Sequence, residues 1–251
     1  MKRMSVAWVM CLMASSLLAS PMERVWAPDD KKYSDPVKLK LYLETNALVY
    51  GQFSESEMVN FKQAFSIKDE TLRALLMGFI REDSAKTGWK WRLGFDEPRE
   101  IAIASMRLRE AIKWMHLCAD TETKRFLMGI ITDNTIDDEF RNCATNSYMK
   151  VADAQEKWDA LARFLSGELK TTYIYGKYLH AMQLYDEVKE DPQRRDTIVA
   201  TVSIALAKEA DKFVLAKIDK LLAERSKEYA ESAQRKAALQ RFNLQPEKDT
   251  Q

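Results

Sequence analysis

Glycine and proline are scarce in this chain, seven and six among 251 residues, against roughly 12% of an average sequence. That scarcity excludes collagen-like and low-complexity sequences, and it excludes β architectures dense in tight turns. An excess of charge of one sign is also missing: 39 basic residues face 38 acidic ones. Without a positive field there is no electrostatic footprint for nucleic acid, and without strong acidity there is no solvating tail. Histidine occurs only twice and cysteine three times, so metal centres and histidine-based catalysis have few donors. What is abundant is apolar, at 46% of residues, enough for a sizeable core. The residue mix points to helices.

The first residues read as an export signal. Lys2 and Arg3 precede an uncharged stretch from Met4 to Met22, a charged n-region followed by an apolar h-region. Ala14, Ser15, Ser16, Ala19 and Ser20 supply the small residues of a cleavage region, with Pro21 directly after. Processing is expected between Ser16 and Ala27, and an uncleaved inner-membrane anchor is the alternative, because the stretch approaches the ~20 residues of a bilayer span. Removal of residues 1–20 takes away Lys2 and Arg3 and leaves 37 basic against 38 acidic residues, about −1. Cys11 lies inside the apolar stretch, which disfavours a lipoprotein; Cys118 and Cys143 remain.

Past a tether at 21–34, the chain carries apolar residues at helical spacing. Asp35-Pro36 reads as a cap and a first-turn proline, and Ser54-Glu55-Ser56-Glu57 as a capping box, in which serine and glutamate each satisfy an amide of the other's turn. Leu72, Leu75, Leu76, Phe79 and Ile80 fall at i, i+3, i+4, i+7 and i+8, a stripe that only an α-helix displays on one face. The stretch Asp83–Glu97 breaks that pattern and reads as a loop carrying Trp89, Trp91 and Phe95. Helices are predicted to resume after Pro98 and at about 121–132, 137–151, 154–166 and 169–189. Between Pro192 and Pro246 there is neither glycine nor proline, and the run Lys217–Lys236 is strongly charged; the first half is expected to pack on the body and Glu224–Phe242 to form a projecting or weakly docked helix.

Two segments match at an offset of 42 residues: Arg99 lies over Arg141, Ala102 over Ala144 and Ser105 over Ser147. Such a period signals stacked helical pairs. The run Asp137-Asp138-Glu139-Phe140-Arg141-Asn142-Cys143-Ala144, with Ser147, Tyr148 and Asp153 after it, resembles the second helix of a HEAT-type repeat. Ala119-Asp120-Thr121-Glu122 with Phe126-Leu127 looks like the matching first helix. The likeness covers Asp96 to Asp153 and implies a binding or scaffolding role. In that register Cys118 and Cys143 lie on levels about 25 Å apart, too far for a disulfide.

Reactive chemistry is hard to find. His116 and His180 stand in no recognised ligand spacing, and His116 and Cys118, two apart on a helix, point to different faces. No Gly-rich phosphate loop and no Gly-x-Ser-x-Gly occurs. Adjacent pairs such as Asp137-Asp138 diverge and read as caps. The segment Gly88-Trp89-Lys90-Trp91-Arg92-Leu93-Gly94-Phe95 is the best candidate surface, since alternation sends both indoles to one side and both cations to the other. Exposed rings would stack on a sugar or seize a partner chain; buried ones would anchor the loop on the Leu72–Ile80 helix. Tyr175, Tyr178, Met182 and Tyr185 share a helix face, read as interhelix core with hydroxyls at its rim.

The sequence thus predicts an all-α protein of stacked antiparallel helix pairs, an α-solenoid that is HEAT-like, ending in a long charged C-terminal helix. Its expected parts are a signal peptide at 1–20, a flexible tether at 21–34, a helical-repeat domain at 35–222, a charged helical extension at 223–242 and a disordered tail at 243–251. The expected function is an exported, periplasmic or secreted, non-enzymatic module of the cell envelope that binds a protein partner. No catalytic residue, cofactor, metal, nucleic acid or transmembrane span after signal removal is expected, and the oligomeric state stays open. Trp89, Trp91, Arg92 and Phe95 are the candidate partner-binding residues. Two other functions are kept: a chaperone-like or membrane-peripheral protein that works through its C-terminal helix, and a carbohydrate-binding or carbohydrate-active protein that works through Trp89 and Trp91. Deletion of Lys227–Gln251 is expected to leave the thermal midpoint nearly intact.

Overall fold

Capping side chains set the helix boundaries in the computed structural model, which describes residues 40, 54–94, 96–171 and 174–244. The chain divides into two compact units, Met1–Lys68 and Asp69–Gln251. In the first, α1 (Glu55–Ala64) opens on the predicted capping box. The Ser54 N–H donates to Glu57 Oε2 at 2.7 Å, and the Glu57 N–H donates to Ser54 Oγ at 3.3 Å. Phe61 and Phe65 stack one turn apart, with centroids at 5.1 Å. The expected signal, the tether and the cap at Asp35-Pro36 lie outside the described residues.

The second unit runs through α2 (Asp69–Thr87), α3 (Arg99–Trp114), a single 3₁₀ turn at Met115–Leu117, α4 (Thr121–Thr132), α5 (Asp138–Val151), α6 (Ala154–Ser166), α7 (Ile174–Glu187), α8 (Pro192–Ala207), α9 (Lys212–Arg225), α10 (Lys227–Glu231) and α11 (Ala233–Gln240). The described residues are all-helical, with no strand among them. Asp120, Asp137, Asp153, Asp191 and Asp211 each accept a first-turn amide, a cap that stabilises a helix start by about 1 kcal/mol. Gly167 closes α6 at φ +85°, the left-handed geometry of a helix C-terminus.

Consecutive helices pack as pairs, α2 with α3, α4 with α5 and α6 with α7. Packing also skips one element, joining α3 to α5, α6 to α8 and α7 to α9. The buried side chains include Leu72, Leu76, Phe79, Leu108, Ile112, Trp114, Leu127, Phe140, Leu161, Tyr178, Met182, Ile198, Val202, Leu215, Ile218 and Leu222. Each large aliphatic or aromatic group so buried contributes roughly 1.5–3 kcal/mol.

Three expectations are corrected. First, α2 does not end where its apolar stripe does but continues to Thr87. Asp83, 0% exposed, stays in the helix because Arg107 of α3 reaches it, Nε to Oδ2 at 2.6 Å and Nη2 to Oδ1 at 2.5 Å. Burial pushes this carboxyl up, and the guanidinium pulls it back. Second, in place of one long C-terminal helix the chain breaks at Ser226 and Ser232, whose hydroxyls accept the Tyr229 and Arg235 amides and start α10 and α11. Third, this end does not project: α11 packs on α8, and Tyr229 and Leu239 are buried. Arg235 grips the buried Asp219 of α9 through two bonds of 2.9 Å, and the Tyr229 hydroxyl donates to the same carboxylate at 3.0 Å. Residues 245–251 of the expected tail lie outside the described residues.

The matched positions of the internal repeat are occupied unequally. Ser105 and Ser147 are both buried, and Ser147 Oγ donates to the Ile112 and Lys113 carbonyls at 3.0 Å, drawing α5 against α3. Arg141 is buried, bonded to the Ile131 and Lys170 carbonyls and to Asp138, whereas Arg99 is exposed. Ala144 is buried while Ala102 is half-buried. Cys118, which is buried, and Cys143, which is half-buried, form no disulfide with each other.

Candidate partner-binding surface at the tryptophan loop

Between α2 and α3 the chain leaves the helix through two successive left-handed residues, Gly88 at φ +61° and Trp89 at φ +59°. Glycine takes this geometry freely, but a bulky residue such as tryptophan costs about 1 kcal/mol or more there. Contacts across to α5 hold it. The Asp137 N–H donates to the Trp89 carbonyl at 3.0 Å, and the Trp91 N–H donates to Asp137 Oδ2 at 3.4 Å. Asp137 therefore caps α5 and ties down the loop at once.

Both indoles meet the same ring. Trp89 and Trp91 approach Phe140 edge-on, with centroids at 6.1 and 5.8 Å and interplanar angles of 77°, the T-shaped geometry that aromatic quadrupoles favour. Phe140 is fully buried, while the two tryptophans are half-buried. The alternation read from the sequence places the rings together, and both meet Phe140 of α5. The reason is that Phe140 enters at the α5 N-terminus, beside the pinned loop backbone.

Further along, the Arg92 N–H donates to Ser105 Oγ at 3.3 Å and Lys90 Nζ to the Thr135 carbonyl at 3.3 Å. The Arg92 guanidinium stands 3.5 Å from Glu97 and stays 46% exposed, as does Leu93. Phe95 lies outside the described residues. Arg109, which the sequence did not single out, stacks over Trp91 at 5.6 Å and pairs with Glu139 at 3.0 Å. It also bonds the Cys143 thiol, which burial, with Glu139 behind it, pushes up to about 11 against the pull of Arg109. A thiol so placed is a poor nucleophile at neutral pH.

The other sequence candidates fall into packing roles. Tyr178, Met182 and Tyr185 are buried, with the Tyr178 hydroxyl donating to Glu209 at 3.0 Å and that of Tyr185 to the Arg225 carbonyl at 2.6 Å. Burial, followed by the neighbouring Glu209, raises the Tyr178 phenol. His116 is buried with Nδ1 at 2.6 Å from the Lys113 carbonyl. His180 bridges Asn146 at 2.9 Å and Gln183 at 3.1 Å. Beside it is a cavity of about 10 Å³ lined by Asn142, Thr145, Thr171 and Lys177, room for about one water and with no acid among its lining residues. Among the described residues no group of three or more His, Cys, Asp or Glu side chains converges as a metal site. No helix among them is long and apolar enough to cross a membrane. Comparison with protein-family models, with curated proteins and with solved structures finds no match.

Proposed function

We propose that this protein is a non-enzymatic protein-binding scaffold of the cell envelope, a stack of helix pairs whose tryptophan loop is the partner-binding surface. The single observation that carries the reading is the loop's preorganisation. Its backbone is bonded to Asp137 and Ser105 while Arg92 and Leu93 remain substantially exposed beside half-buried indoles. A loop held in one conformation loses little entropy when a partner closes on it, so more of the contact energy appears as affinity. The skip-one packing of α3 on α5, α6 on α8 and α7 on α9 supports a repeat-like stack with a HEAT-like register in its middle. Export rests on the charged and apolar character of residues 1–22.

A protein partner fits better than a sugar. Stacking on a sugar needs an open indole face, and the Arg109 guanidinium lies over Trp91. A partner reached through α10 and α11 fits less well again, since α10 is packed on α9, α11 on α8, and the two on each other.

The test is capture from envelope extract with the immobilised full-length chain and with the double variant Arg92→Glu, Leu93→Asp. A protein retained by the wild type and lost by the variant, at unchanged thermal midpoint, is the expected outcome. Equal recovery by both chains, or recovery by neither, refutes the role of this loop.

A further inference from the structure

Away from the tryptophan loop, the turn between α8 and α9 gathers an unusual surface for a chain whose basic and acidic residues otherwise balance. Phe213 in the first turn of α9 is 64% exposed, and Ile204 in the last turn of α8 is 55% exposed. Both are large apolar groups left in solvent on either side of one four-residue connection, 208–211. The outward face of α9 carries Lys212, Phe213, Ala216, Lys217 and Lys220, all exposed, while Val214, Leu215, Ile218 and Leu222 point into the core. The Lys217 ammonium lies 5.9 Å from the Phe213 ring centroid. Tyr175 of α7 also meets this ring, centroid to centroid at 6.3 Å.

More positive charge converges on the turn itself. Lys208 is exposed, and the Arg241 guanidinium donates to the Ala207 and Glu209 carbonyls, which brings the chain's last described turn alongside. The acids here are turned to other work. Glu209 accepts the Tyr178 hydroxyl and the Ala210 and Asp211 amides, and Asp211 caps α9 through the Phe213 and Val214 amides. Glu224 stands one turn beyond Lys220, and Asp219 is buried against Arg235. Lys208, Lys212, Lys217 and Lys220 are therefore exposed at the turn and along α9, against Glu209 and Asp211 in the turn and Glu224 beyond it.

From this arrangement we infer that the α8–α9 turn docks on an anionic lipid bilayer surface, with Phe213 entering the headgroup boundary and the lysines around it meeting lipid phosphates. The chemistry is that of an interfacial anchor: apolar side chains protrude singly among lysines whose alkyl stems can lie on hydrocarbon while their ammonium groups stay wet. A protein interface would instead call for a continuous apolar centre depleted of lysine. Each lysine near a negative membrane surface contributes about fivefold in affinity, so the lysines supply selectivity for anionic lipid and Phe213 supplies depth. The inference is independent of the tryptophan loop.

The experiment is co-sedimentation of the full chain with phosphatidylcholine vesicles and with vesicles in which phosphatidylglycerol replaces part of the lipid. The readout is the change in the ratio of the two affinities between wild type and variant, because the N-terminal stretch, with Lys2 and Arg3, is the same in both. The wild type should prefer the anionic vesicles by tenfold or more, and that preference should shrink as salt rises. Lys212→Glu with Lys217→Glu should lower that ratio severalfold. Phe213→Ala should weaken binding to anionic vesicles severalfold at an unchanged far-UV spectrum. A ratio near one for the wild type, or a preference unchanged by the lysine reversals, overturns the proposal. Retention on soluble poly-glutamate without preference for anionic vesicles overturns it in favour of an acidic protein partner.

Discussion

Asp83 and His180 show how much a single residue depends on neighbours far away in the chain. An aspartate at the end of an apolar stripe reads as a helix terminus, because an unpaired buried carboxylate costs several kcal/mol. With Arg107 supplying two short bonds, the same residue sits inside the helix. His180 lies within α7, but its environment was not legible, since Asn146 comes from α5. Burial, followed by the repulsion of Lys157, lowers its pKa from 6.5, against the opposing bond from Gln183. The unfolded chain therefore takes up the proton more readily than the folded one. The neutral ring's contribution is complete above pH 6.5 and is lost as pH falls below 6.5 through the folded value. Thermal midpoints measured across this range should fall on acidification, and His180→Gln should lose less. A variant that falls as steeply as the wild type refutes the assignment.

At the scale of elements, helices at 121–132 and 154–166 are read from the sequence with the bounds they have in the fold, because aspartate caps and a C-terminal glycine mark their ends locally. The tryptophan loop was half legible. Alternation put Trp89 and Trp91 on one side, but their target, Phe140, belongs to a different pair and leaves no local trace. If the loop is held by these ring contacts, Trp91 and Phe140 are energetically coupled. A double-mutant cycle with Trp91→Ala and Phe140→Ala, read by urea denaturation, should give a coupling of about 0.5–1.5 kcal/mol. Phe140→Ala alone should cost about 3–5 kcal/mol through the cavity it leaves. Additive losses would mean that the backbone bonds to Asp137 hold the loop without the rings.

For the whole molecule the main reversal is at the C-terminal end. Charge density there suggests a solvated arm whose deletion costs nothing, yet Asp219 is buried and its partners Tyr229 and Arg235 both lie beyond residue 226. Removing 227–251 strands that carboxylate in the core. Arg235→Ala alone should destabilise the fold by about 3–5 kcal/mol, the usual consequence of orphaning one partner of a buried pair. Deletion of Lys227–Gln251 should cost at least as much, with the buried Tyr229 and Leu239 side chains lost as well. Because helices here touch neighbours close in sequence, amide exchange in Arg235→Ala should accelerate in α8 through α11 and change little in α2 and α3. A thermal midpoint unmoved by the deletion would restore the projecting arm.

Composition and periodicity alone determined that this protein is built of helices and, through caps, where most of them start. Both signals are local, arising from the backbone's need to satisfy its terminal amides and from the 3.6-residue repeat of an apolar face. Only the tertiary structure decided which polar residues are buried, where the indoles rest, that the charged C-terminus folds back, and that Phe213 and Ile204 stay in water. Those outcomes depend on pairs such as Asp83 with Arg107 and Asp219 with Arg235, in which a charge becomes tolerable in the interior only when its counter-charge arrives from another helix.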